Sequence, residues 1–215
     1  MKLVAVETAR VIGFLEVDGF DPRGRMSLLE GIKILTDRYG FVAAPKTLAE
    51  LDLHKGIHFG HGRLGDIRID KLGLYNNGLL VETHSSTTDS KIVIEDFITH
   101  VHQALDSEVA VHRWMTVSNI IFTSELDLTK LHGALSLVAE QVSRSVSQDF
   151  GRDVRFQPSA FNIGYDPSET DLRPPNFSIE RRIDTPYSAT TYFSGAPVGT
   201  ATHIELLERL ENALT

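Results

Sequence analysis

The chain has 215 residues, of which 41% are hydrophobic and 23% charged, a balance ordinary for a globular protein and long enough to bury a core. It contains no cysteine, which excludes disulfides, thiolate metal sites and cysteine nucleophiles. The formal net charge is −8, and the densest basic group is Arg181-Arg182 with Arg173 nearby, too little for binding driven by a nucleic-acid backbone.

The opening residues, MKLVAVETARVIGFLEVDGF, read as two strands, KLVAV and VIGFLEV, and the stretch DPRGR then breaks the pattern. Glu7, Arg10 and Glu16 interrupt the apolar core that a signal peptide would need. No apolar run approaches the ~20 residues of a membrane span. These features predict a soluble, cytoplasmic protein with no membrane insertion and no nucleic-acid partner.

Ser27 and Glu30 have capping-box spacing, and Leu28, Ile32, Leu35 and Tyr39 follow at helical period, so residues 27–39 are predicted helical with Gly40 as the stop. FVAAP is a candidate short strand. Between residues 57 and 84, GIHF, DIRIDKLGLY and GLLVETH read as strands. Asn77-Gly78 carries the strongest short-range hairpin signal, since both central positions of such a turn take positive φ. Ser86 and Asp89 again have capping-box spacing. Behind them Ile94, Phe97, Ile98, Val101 and Leu105 form one apolar stripe.

RWMTVSNIIFTS is rich in β-branched and aromatic residues and reads as a strand. Asp127 is a candidate cap for the longest helix, with Leu128, Leu131, Leu135, Val138, Val142 and Val146 along one face. DVRF and AFNIGY are further candidate strands. DPSETDLRPPN, residues 166–176, is a polar, proline-containing connection. FSIERRI and ATTYF are predicted to pair. Thr202 and Glu205 are predicted to start a last helix that buries Leu206, Leu207, Leu210 and Leu214. A hairpin followed by a hydroxyl-capped helix occurs at 67–105 and again at 177–214, a possible pseudo-repeat.

The predicted fold is therefore α+β: a mainly antiparallel sheet with about four helices on one face, in a single domain with possible sub-units 1–107 and 108–215.

Gly60, Gly62 and Gly65 spell G-x-G-x-x-G, but β-patterned residues follow them, whereas a dinucleotide site needs a helix there. HRWMTVSN and DFG match kinase strings, yet Trp114 stands where the catalytic aspartate would be and no lysine-bearing strand precedes it. Neither H-E-x-x-H nor G-x-S-x-G occurs. Ser194 sits on a sharp turn beside Gly195, with no partner evident in the sequence. No cofactor is implied.

The leading expectation is a non-catalytic protein that binds a protein partner or assembles with itself. Tyr187, Tyr192, Phe193 and Pro197 are the interface candidates. The alternative is a small-ligand-binding protein or metal-dependent enzyme built on the 54–66 loop, with His54, His58, His61 and Asp66 as candidate ligands.

Overall fold

A computed structural model describes residues 1–16, 27–105, 109–131 and 133–214. The DPRGR break, residues 21–25, lies outside the described residues. The strands are β1 (Lys2–Phe14), β2 (Ile57–Leu64), β3 (Ile67–Tyr75), β4 (Gly78–Thr83), β5 (Arg113–Thr123), β6 (Ala160–Ile163), β7 (Phe177–Arg181) and β8 (Thr191–Ala196). The helices are α1 (Leu28–Tyr39), α2 (Thr87–Leu105), α3 (Gly133–Phe150) and α4 (Thr200–Leu214). The class is α+β with an antiparallel sheet. Along the chain the order β-α-β-β-β-α occurs twice, from β1 to α2 and from β5 to α4. The repeat seen in the sequence as hairpin plus helix thus extends to a whole six-element unit.

Contacts divide the chain into two compact units, one of Val6–Asn119 with Pro197–Thr202, the other of Met1–Ala5, Ile120–Ala196 and His203–Thr215. In the Val6–Asn119 unit the strands lie in the order β2-β3-β4-β1-β5. Val11, Phe59, Leu72, Leu79 and Val81 from the strands meet Leu35 and Tyr39 of α1 and Ile94 and Phe97 of α2 in one buried cluster. The β1 strand is continuous over 13 residues, where the sequence suggested two strands. FVAAP contributes only the bridge from Ala43 to Gly60.

The start of α1 is a full capping box: Glu30 N–H donates to the Ser27 hydroxyl, and the Ser27 amide donates to the Glu30 carboxylate at 2.7 Å. The helix stops at Gly40, in the left-handed conformation at φ 61°. Its last turn is tied to α2 by Asp96, which accepts from Arg38 Nε at 2.9 Å and from the Tyr39 hydroxyl at 2.7 Å. Burial works to raise the Asp96 carboxyl, but the donors of Arg38 and Tyr39 outweigh it and hold the pKa below its ordinary value.

A run of hydroxyls, Ser85-Ser86-Thr87-Thr88, spans the start of α2. The Ser86 hydroxyl accepts from the Asp89 amide at 3.1 Å, so Ser86 is the cap. The Thr87 hydroxyl accepts from the Thr200 amide at 2.9 Å, and the Thr200 hydroxyl accepts from the Thr87 amide at 3.1 Å. Two helix starts therefore satisfy each other's free amides, the groups a helix cannot bond internally. One turn on, the buried Ser90 hydroxyl donates to the Ala9 carbonyl at 2.6 Å and lies 3.0 Å from Thr83 Oγ1. Ser86→Ala is expected to cost about 1 kcal/mol and Ser86→Asp to be nearly neutral, because aspartate caps as well as serine. Denaturant melts of the two variants check this, and equal stability of Ser86→Ala and wild type would refute the cap.

In the Ile120–Ala196 unit, β8, β7 and β6 follow one another in antiparallel register, with Ile179 opposite Ser194 and also opposite Phe161. Ile120, Phe122, Leu126, Leu128, Ile179, Tyr192 and Leu207 are buried here. DVRF does not form a strand. A single 3-10 turn, Leu128–Leu131, precedes α3, so the helix does not begin at Asp127, and at 18 residues it is shorter than the 19 of α2. The last helix starts at Thr200 rather than Thr202, because the caps just described lie there. Among the described residues no helix is long and apolar enough to cross a membrane.

Candidate functional site

The most unusual element is α3. None of its described residues is buried, although its sequence is amphipathic. Leu135, Val138 and Val142 are 47%, 59% and 37% exposed, and they lie on one stripe at spacings of three and four. Its half-buried side is made of Ser136, Ala139, Ser143, Val146 and Ser147, and two of the serines make its hydrogen bonds to the following segment. The Ser143 hydroxyl accepts from the Phe156 amide at 2.8 Å, and the Ser147 hydroxyl accepts from the Val154 amide at 2.9 Å. At 100° per residue, Ser143 and Ser147 sit about a quarter turn or more from the stripe. So serines hold the following segment against the helix while Leu135, Val138 and Val142 face water. Of the apolar face expected from the sequence, Leu128 is buried in the turn before α3, whereas Leu135, Val138 and Val142 are exposed.

The four interface candidates do not form one surface. Tyr192 is fully buried, its ring stacked on Phe122 at 5.4 Å and its hydroxyl donating to the Leu126 carbonyl. Strand alternation places Tyr192 in the core. Phe193 and Pro197 are half-buried. Tyr187 is 39% exposed, and the Arg181 guanidinium lies 4.4 Å from its ring centre.

Ser194 does have a partner, which sequence spacing could not supply. Its hydroxyl lies 2.8 Å from His203 Nε2 on α4, and both residues are fully buried. This is not a nucleophile and its base. The hydroxyl donates its one proton to the Ser178 carbonyl at 2.6 Å, so His203 Nε2 must be the donor in the second bond. An imidazole that donates to serine cannot take its proton, and no substrate reaches a fully buried hydroxyl.

The residues of the 54–66 loop scatter. His54 Nδ1 meets Asn76 Nδ2 at 3.2 Å in an exposed turn. His58 lies on β2 with its ring edge-on to Tyr75 at 5.7 Å. Asp66 is exposed in the tight turn between β2 and β3. Among the described residues no group of three or more histidines and carboxylates could hold a metal ion.

The glycine motif has packing reasons. A Cβ on Gly62 would lie 2.4 Å from the Phe41 ring, and Gly65 makes the β2–β3 turn at φ 57°.

His61 belongs to a different cluster from the one expected. Its Nδ1 is 3.6 Å from an Asp70 carboxylate oxygen, and His84 Nε2 is 3.7 Å from the same oxygen. His84 Nδ1 lies 2.6 Å from the Glu7 carbonyl, an acceptor, so that nitrogen carries a proton. One carboxylate and one carbonyl thus orient two imidazoles on the rim of an open cleft of about 420 Å³, which Arg63 and Arg68 also line. His61 has φ 56°, a backbone conformation rare outside glycine. The sequence signal was available in one form: a turn at Gly65-Asp66 places residue 61 opposite residue 70.

The chain matches no protein-family model, and comparison with curated proteins finds no match.

Proposed function

We propose that the protein works by non-catalytic association, with a protein partner or with further copies of itself, through the apolar stripe of α3. The observation that carries this reading is a helix with no buried residue whose Leu135, Val138 and Val142 face water while serines face its own chain. The three side chains are 37–59% exposed, so covering them gains roughly half of the ~1.5–3 kcal/mol that full burial of each is worth. Leu137, 70% exposed, and Phe150, 63% exposed, lie on the same helix but off the stripe, by about 100° or more for Leu137, so they do not belong to the covered face. Ala134, Ala139 and Gln141 beside the stripe carry no formal charge, and the first charged residue on its face is Asp149, seven residues after Val142 near the helix end.

The test is native mass spectrometry of the purified chain and of affinity-isolated complexes, for wild type and for the Leu135→Glu, Val142→Glu double variant. The expected result is an assembly or a stoichiometric partner in the wild type that is lost in the variant, with an unchanged melting temperature. Association that survives the double variant would refute the role of the stripe. A melting temperature lowered as for a core substitution would show that the stripe packs within its own chain.

A further inference from the structure

The tip of the β2–β3 hairpin holds an arrangement that packing alone disfavours. Arg63 and Arg68 are directly opposite in the strand register, between Gly62↔Ile69 and Leu64↔Ile67. Like charges directly opposite on a strand pair are destabilising. Both arginines are exposed, and among the described residues neither has an ion-pair partner. Asp70, the carboxylate that lines the same cleft, faces His61 and His84 instead. Next to the arginines, His61 holds a left-handed backbone that a glycine would adopt at lower cost. Two local costs at adjacent positions, around one cleft, on a short and otherwise regular hairpin, are what a binding site leaves in a free protein.

From this we infer that the cleft binds the phosphate group of a small phosphomonoester, gripped by Arg63 and Arg68 with His61 as a further donor. The donor set selects the ligand. Two guanidinium forks match an oxyanion with more than one charge and more than two acceptor oxygens. A phosphomonoester has three terminal oxygens and a charge near −2 at neutral pH, whereas a carboxylate has two oxygens and one charge. His61 turns Nδ1 toward Asp70, which leaves Nε2 for the ligand, while both nitrogens of His84 face protein oxygens. Asp70 and His84 are therefore positioning residues, and His61, Arg63 and Arg68 the contacting ones. The cleft, about 420 Å³, is at the small end of ligand sites. The chain's net charge of −8 disfavours an extended polyanion and leaves this as a local patch. The inference does not depend on the association through α3.

The experiment is calorimetric titration of the full chain with inorganic phosphate, glycerol phosphate, acetate and a single-stranded oligonucleotide, together with thermal melts. Glycerol phosphate and phosphate are expected to bind at one saturable site, and acetate not to bind. Arg63→Gln and Arg68→Gln should each weaken phosphate binding by about tenfold or more, the loss of a charge-assisted contact. Both variants should melt no lower than wild type without ligand, because each removes the opposed pair. His61→Gly should melt higher and bind more weakly. The proposal is overturned if phosphate does not saturate a site, or if binding survives either arginine variant. It is equally overturned if the arginine variants melt lower, which would make the pair structural. Tighter binding of the oligonucleotide than of glycerol phosphate would replace the small ligand with a polyanion surface.

Discussion

Tyr192→Ala is expected to destabilise the protein by about 3–5 kcal/mol, the range for removing a large buried aromatic ring. The ring is wholly inside, stacked on Phe122 at an interplanar angle of 23°. Its hydroxyl is the donor that the Leu126 carbonyl receives, and burial pushes the phenol's pKa above its ordinary value. Tyr192→Phe keeps the ring and takes only the donor, leaving a carbonyl in the interior short of a partner. That should cost about 1–3 kcal/mol. The two variants separate packing from hydrogen bonding, and a denaturant titration with an unchanged slope would show that both act on the native state. The opposite pattern, a fully stable Tyr192→Ala protein with weakened association, would return Tyr192 to an interface and contradict its burial.

That residue also shows where sequence reading stops. Period-two alternation says that one face of a strand is buried, but not which face, and a slip of one residue inverts the answer. The stretch TTYFSG offers aromatic side chains on both faces, Tyr192 on one and Phe193 on the other. The pairing alone does not settle it, since Arg181 lies opposite Tyr192 and Glu180 opposite Phe193; burial does, with Tyr192, Ser194 and the Ile179 opposite Ser194 fully inside and Phe193 half-buried. Helix starts were more legible, because a cap is a local arrangement of three or four residues. Ser27 with Glu30 forms the full box that their spacing predicted, and Ser86 caps the Asp89 amide where its spacing put it. The start of α4 was misplaced by two residues because its caps come from Thr87, distant in sequence.

The candidate sites were less legible for a related reason. The α3 stripe is identical in pattern to a core stripe, and a helical period says only that a face is apolar. It says nothing of whether the fold covers it. Ser143 and Ser147, which take the inner side, have no distinctive spacing. Near the hairpin tip His61 was visible as a candidate, but its partner Asp70 lies on β3 and the His84 that shares Asp70 lies just past the end of β4. Asp66, nearest in sequence, lies in the turn itself. Histidines and carboxylates join into clusters by strand register, and the register follows from the turn.

Gly78→Val is expected to cost about 3 kcal/mol or more, above the usual range for overpacking, because the obstacle is backbone. The sequence assigned Asn77-Gly78 to the centre of a turn with positive φ. The register instead pairs Tyr75 with Gly78, so the turn is Asn76-Asn77 and Gly78 is the first residue of β4. Neither Asn77 nor Gly78 has a positive φ. The need for glycine comes from the other side of β4, where Gly78 pairs with Phe14 of β1. A Cβ there would lie 2.8 Å from the Gly13 carbonyl oxygen and 3.6 Å from the Phe14 Cα. A carbonyl fixed in a paired strand cannot turn aside as a flexible side chain would. Gly78→Asn distinguishes the two explanations. Asparagine is tolerated at positive φ, so a turn requirement would leave the variant close to wild type. A close backbone approach makes Gly78→Asn destabilising, and Gly78→Ala already costly at about 1–3 kcal/mol. Thermal and denaturant melts of the three variants should therefore rank wild type above alanine and alanine above valine, with asparagine among the damaged proteins. A stable Gly78→Asn protein would restore the positive-φ turn and remove the close approach as its cause.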